Sequence, residues 1–246
     1  MVKQEVFKSL ILLARPAAGK SEIIQFLNGL DPDIRKNDFH IGNIHAIDDF
    51  PMIWSWFEED DILNNMGLSR IHTDEHGYFL CNEYWNLLIE RMNLEYIKHE
   101  KNISPQERYK ETVVIEFSRG SEHGGYKMAF SHLRTEILST AAILYINVSW
   151  EESLRKNRNR FNPEKPDSIL EHGLPDDKMR RLYHEIDWDE FTKNDPNFIN
   201  IHGISVPYVV MENEDDVTST NNKGLKNRLH STLGILWKSY NQELVV

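Results

Sequence analysis

The 246-residue chain has a single cysteine, Cys81, and no apolar run approaching the roughly 20 residues needed to cross a bilayer. One thiol excludes an internal disulfide framework and suits a reducing compartment. Positive charge is also scarce: 28 Lys and Arg stand against 39 Asp and Glu, a formal net charge of −11. That balance argues against a nucleic-acid polymer or an anionic membrane surface as the main partner, because both reward clustered cations. Any anion the chain binds must be held locally. Repeats, low-complexity tracts and a composition-marked linker are missing too, so one large domain over 1–246 is expected, long enough to bury a sizeable core. Lys3 and Lys8, an apolar stretch and Ala-Arg-Pro-Ala-Ala superficially imitate a secretory signal, but the stretch is short and Arg15 interrupts the would-be cleavage region. A soluble, cytoplasmic protein is expected; the sequence says nothing of its oligomeric state.

What the chain does have is the run Ile11-Leu12-Leu13-Ala14-Arg15-Pro16-Ala17-Ala18-Gly19-Lys20-Ser21, an apolar strand ending in a small-residue loop that closes on Gly-Lys-Ser. It fits the phosphate-loop pattern G-x-x-x-x-G-K-[ST] except at Ala14, which stands where the first glycine belongs. Alanine is tolerated there as long as its φ is not positive. Arg15, Pro16, Ala17, Ala18, Gly19, Lys20 and Ser21 are therefore the candidate phosphate cradle. Backbone N–H groups and the positive end of the following helix suit an anion, Lys20 can reach outer phosphates, and the Ser21 hydroxyl can ligate Mg²⁺. The context agrees, because 6–13 is apolar and partly β-branched while Ile23, Ile24, Phe26 and Leu27 recur at helical spacing.

Strand-like stretches at 6–13, 43–47, 112–117, 142–148 and 206–211 alternate with helix-like stretches at 20–28, 52–64, 83–98, 131–138 and 151–160. The alternation predicts a three-layer α/β fold with about five parallel strands and helices on both faces. A closing helix over 225–237 puts Leu225, Leu229, Leu233 and Leu236 on one face, which should pack on the sheet. Ser149 with Glu152 reads as a capping box. Residues 162–177, with Pro163, Pro166, Gly173 and Pro175 among charges, read as an exposed loop, and 212–216 as a solvated turn. Gly124-Gly125 reads equally as a closing loop or a flexible connection. Residues 72–76 fit the literal H-x-x-E-H pattern of a zinc protease, yet Gly67 and Gly77 flank them and predict a loop or hairpin. Trp54, Trp56 and Phe57 divide between core packing and the wall of a pocket.

In open α/β sheets ligands bind at the carboxyl ends of the strands, and three further groups of residues follow strands here. They are Asp48-Asp49, Glu116 with Arg119, and the helix bearing Arg155, Arg158 and Arg160. Phosphoryl transfer needs a cradle, a metal, a group that orients the acceptor and cations that neutralise charge, and each need has a candidate. Either aspartate could also cap the helix that follows. In this order the set resembles the P-loop kinases of the nucleoside and nucleotide kinase type, over 11–213. Asp48-Asp49-Phe50 is similar to the Asp-Asp-Phe segment of uridine-kinase-like enzymes, and Glu116 with Arg119 resembles the strand-end pair of deoxynucleoside kinases. Arg155, Arg158 and Arg160 resemble an arginine-bearing lid over about 155–180. The resemblance implies a P-loop NTPase fold and an ATP- and Mg²⁺-dependent phosphotransferase acting on a small molecule, a nucleoside or nucleotide foremost. Lys20, Asp48, Asp49, Arg119, Arg155, Arg158 and Arg160 would then be catalytic, and Ser21 and Glu116 would hold the metal. A kinase of a non-nucleotide acceptor, similar to zeta-toxin or antibiotic-phosphorylating enzymes, and a nucleotide-binding switch are the alternatives. The stretch 54–101 aligns with no one member of the family, which leaves the acceptor open.

Overall fold

The computed structural model describes residues 5–160, 164, 173–220 and 222–243. Six strands form one sheet: β1 (Ser9–Ala14), β2 (Asn43–Asp48), β3 (Glu111–Phe117), β4 (Ala141–Asn147), β5 (Phe198–Ile201) and β6 (Ile204–Glu212). Their order is β2-β3-β1-β4-β6-β5. The first five in that order are parallel, and they are the five expected from the sequence, with shifted ends. β5 is an addition, pairing antiparallel with β6 at the edge. It is only four residues long, and its turn places His202 (φ 54°) and Gly203 (φ 81°) in the left-handed region, as a tight two-residue hairpin requires.

β1 lies near the middle of the sheet, and both of its faces are covered. Leu10, Leu12 and Ala14 pack with Ile23 and Leu27 of the Lys20–Asn28 helix and with the Asn222–Glu243 helix. Ile11 and Leu13 face the other layer, where Ile89, Met92 and Tyr96 of the Glu83–Asn102 helix meet Tyr126 and Phe130. The result is a three-layer α/β arrangement. Leu225, Leu229, Leu233 and Leu236 are buried as expected. Among the described residues no helix is long and apolar enough to cross a membrane.

The expected helix over 131–138 is corrected to two pieces, Gly125–His132 and Thr135–Leu138. Asn93 spans the break, its Nδ2 donating to the His132 carbonyl at 2.7 Å and its Oδ1 accepting from Arg134 N at 3.2 Å. Gly124 and Gly125 are neither lid nor loose connection, because Asp187 accepts from Tyr126 N at 2.7 Å and Lys127 N at 3.0 Å and so caps a helix that starts there. A Cβ on Gly125 would lie 2.2 Å from the Asp187 carboxyl carbon.

Replacing Leu229, fully buried under β1, with alanine should lower unfolding free energy by about 2–5 kcal/mol, read from the urea midpoint at constant m-value.

Candidate functional site

Ala14 is the last residue of β1 and does not take a positive φ, so the missing first glycine costs nothing. The left-handed positions are Ala17 (φ 57°) and Gly19 (φ 114°). Three carbonyl oxygens of the loop are tethered from distant parts of the chain. The Tyr126 hydroxyl donates to Ala14 at 3.0 Å, Ser153 Oγ to Pro16 at 2.7 Å and Asn213 Nδ2 to Ala18 at 2.9 Å. With these oxygens occupied, the N–H groups are left for the other side of the loop. Among the described residues, none of the backbone N–H groups of Gly19, Lys20, Ser21 and Glu22 donates a hydrogen bond. Such a concavity at the start of the Lys20–Asn28 helix suits an anion. Gly19 is required twice over, by its φ and because a Cβ there would meet Thr218 Oγ1 at 2.7 Å.

The carboxylates come from the neighbouring strands. β2–β3 register sets Asp48 beside Glu116. Burial pushes the Asp48 carboxyl up to about 7, with repulsion from Glu116 and Asp49 adding to it and the Phe50 N–H and Lys20 opposing. Burial likewise raises Glu116, which is 6% exposed, while Lys20 opposes. Lys20 Nζ itself donates to Ser118 Oγ at 2.8 Å. Asp48 Oδ1 accepts from Phe50 N at 2.9 Å and so also tethers the start of the Phe50–Asn65 helix.

Asp49 has a different task. Arg119 Nη1 donates to Asp49 Oδ2 at 2.6 Å and to the Ser118 carbonyl at 2.7 Å, and Nη2 donates to Trp85 O at 3.2 Å. The guanidinium is 2% exposed and lies 5.3 Å from the ring centres of both Phe117 and Trp85. Arg119, expected among the catalytic residues as the cation beside Glu116, pairs with Asp49. Asp48, half-buried at the cleft and in no ion pair, is left as the carboxyl with an affinity for protons near neutrality, the property of a general base. Two carboxyls that burial and mutual repulsion hold toward the neutral form, with the exposed Ser21 hydroxyl opening the adjacent helix, also fit a hard divalent cation.

The three arginines of the expected lid separate. Arg160 lines the cleft with Lys20, Asp48 and Glu116, and its charge favours ionised Glu116. Arg155 pairs with Glu152 at 2.6 Å and Asp216 at 2.9 Å, and Arg158 pairs with Asp176. Arg15 of the loop is half-buried and donates to the carbonyls of Tyr183 and His184. Residues 161–163 and 165–172 of the expected lid lie outside the described residues; its far end is the Asp176–Tyr183 helix. Residues 212–216 are not merely a solvated turn, because Asn213 is fully buried against the loop and Asp216 holds both Arg155 and Lys156. Sequence reasoning missed Lys156, buried with its Nζ 2.6 Å from Asp216 and 3.0 Å from Thr218 Oγ1. Half of the capping box is present: Glu152 N donates to Ser149 Oγ at 3.1 Å. Glu214 takes the reciprocal place, accepting from Ser149 N at 2.7 Å, which frees the Glu152 carboxylate for Arg155.

The cleft at Lys20, Asp48 and Glu116 encloses about 110 Å³. A pocket of about 560 Å³ adjoins it through Phe50, Ile53, Leu174 and Tyr183, and a third cavity, about 400 Å³, lies beyond Ser21 toward Gln25, Arg155 and Asp216. Trp54 and Phe57 line the larger pocket, whereas Trp56 belongs to the core and stacks on His72 at 5.1 Å. Residues 72–76 form a turn closed by a Thr73–Phe79 bridge, as expected, and buried Asp60 anchors it, accepting from the N–H groups of Ile71, His72 and Thr73. Asp60 carries no motif and could not be singled out from the sequence. No protein-family model matches the chain, and no curated protein matches it. Among solved structures, the crystal structure of APE1195 is similar over 94% of this chain and 98% of its own, at 14% identity and a TM-score of 0.39. A likeness of that size carries no functional argument.

The two aspartates should separate in stability measurements. Asp49→Asn leaves Arg119 buried without its counter-charge and should cost about 3–5 kcal/mol by denaturant titration. Asp48 behaves oppositely, because its folded pKa lies above its ordinary 3.8. Between these two values the folded chain keeps a proton that the unfolded chain has released, so stability falls as pH rises toward 7 and stays reduced above it. Asp48→Asn should therefore raise the melting temperature at pH 8 and leave it nearly unchanged at pH 4.

Proposed function

We propose that this chain is a P-loop kinase, a cytoplasmic ATP- and Mg²⁺-dependent phosphotransferase acting on a hydroxyl of a small molecule, with nucleosides and nucleotides the first acceptors to consider. The observation that carries the reading is the meeting, in one cleft, of an N–H-lined loop, a lysine and a near-neutral carboxyl beside a large pocket. In this reading the loop N–H groups and Lys20 hold the donor's β- and γ-phosphates, and Ser21 and Glu116 hold Mg²⁺, which when bound neutralises phosphate charge. Asp48 accepts the proton of the acceptor hydroxyl as the new P–O bond forms and the bond from the γ-phosphorus to the bridging oxygen breaks, ADP leaving. Arg160 is the lid arginine that faces the transferred group, where its planar fork suits phosphate oxygens. Arg155 and Arg158 serve the lid through their acidic partners.

Asp49 and Arg119 act indirectly, by fixing the backbone on either side of Asp48 and Ser118. A nucleotide-binding switch would need the same cradle, but it gives no use to a proton-accepting carboxyl at the mouth of a pocket.

Lys20→Ala should weaken Mg·ATP binding at least about tenfold and abolish turnover; affinity and turnover left at wild-type levels would remove the cradle assignment. In a purified, folded enzyme Asp48→Asn should lower kcat by about 10² or more while ATP affinity is retained. ATP hydrolysis alone should be slow and stimulated by the correct acceptor.

A further inference from the structure

The 560 Å³ pocket is lined by aromatic side chains. Trp54 and Phe57 come from the helix that Asp48 tethers, and Phe79, Trp85 and Tyr183 complete the enclosure. Its volume lies within the range of small-molecule sites, about 300–1,000 Å³.

The cations in the pocket are already engaged. Lys178 Nζ donates to the carbonyls of Gly77 at 2.6 Å and His76 at 3.3 Å and lies over Phe57 and Tyr78. Arg181 pairs with Glu122 at 2.8 Å and covers Tyr78 at 4.1 Å. Glu58 and Asp61 add carboxylates to the lining. A phosphate group entering here would meet negative charge and occupied donors.

His123 is the exception among the polar groups. It lines the pocket, is 6% exposed and stacks on Trp85 with ring centres 4.0 Å apart. Neither Nδ1 nor Nε2 has a hydrogen-bond partner of good geometry. Burial, and then the charge of Arg119, push its pKa down to about 3; the nearby Leu182 backbone opposes this. The ring is therefore neutral, with one N–H donor and one bare acceptor. A buried polar group without a partner costs stability, and a ligand that supplies the partner gives that cost a use.

We propose that this pocket is the acceptor site and takes an uncharged, planar ring compound bearing a hydroxyl, held among the aromatic side chains and hydrogen-bonded by His123, in preference to the phosphorylated form of the same compound. The inference rests on the phosphotransferase reading only in having the hydroxyl face Asp48. Binding itself is independent of it.

The test is tryptophan fluorescence of the full chain without ATP, titrated with thymidine, cytidine and pyridoxine, each beside its 5′-phosphate ester, and with an amino sugar. At least one ring compound should bind about tenfold or more tightly than its ester. His123→Phe keeps the stack on Trp85, so it should raise the thermal midpoint by removing a buried polar ring that makes no hydrogen bond of good geometry, yet weaken that compound about fivefold or more. Trp54→Ala, on the half-exposed wall, should weaken it as well. The proposal is overturned if the esters bind as well or better, if the amino sugar alone binds, or if His123→Phe binds unchanged or melts lower. Ring binding with no Mg·ATP affinity and no phosphorylated product would overturn the kinase reading and leave this pocket standing. Mg·ATP affinity with no ring binding would do the reverse.

Discussion

Two cations, Lys20 and Arg119, allow three carboxylates to leave water at the ends of β2 and β3, and the rest of the site depends on that. A carboxylate buried without a counter-charge is too costly for a marginally stable domain to carry. Arg119 settles Asp49 by a direct ion pair and ties it to the Ser118 and Trp85 carbonyls. Lys20 and Arg160 act on Glu116 through space, while the Phe50 N–H, ahead of Lys20, opposes the burial that raises Asp48. The two solutions differ in purpose. The closed pair fixes backbone, and the open one leaves a carboxyl that can exchange a proton.

The loop beneath these carboxylates takes its shape from outside itself. Tyr126, Ser153 and Asn213 come from segments that follow β3, β4 and β6, and each takes one carbonyl oxygen of the loop. Thr218 fills the space a side chain on Gly19 would need, and Lys156 and Asn213 both donate to Thr218. Four parts of the chain thus converge on eight residues, which is how so small a turn can hold several N–H groups in one direction without using them internally.

The legible features were local ones. An apolar run flanked by turn residues is a strand wherever it lies, so the five parallel strands were visible, as were the leucine stripe of the closing helix and the turn between Gly67 and Gly77. β5 was not, because four residues carry too little periodicity. Partner choice was also hidden. Arg119 follows Glu116 in the sequence yet pairs with Asp49, Glu152 gives up its capping role once Glu214 arrives, and the helix at Gly125 starts where Asp187 caps it from 61 residues away. Each of these choices is made between side chains that meet only after the sheet has closed.

By itself the sequence determined the succession of the five parallel strands, the strand-to-loop-to-helix turn at Gly19-Lys20-Ser21, and the residue types that end each strand, because hydrophobic period and backbone permissiveness act over a few residues. Only the tertiary structure decided which aspartate stays out of an ion pair, which of the three arginines reaches the cleft, and that His123 lies buried against Trp85 without a hydrogen bond of good geometry. Those outcomes depend on burial and on competition among charges for one another, and both are properties of the packed chain.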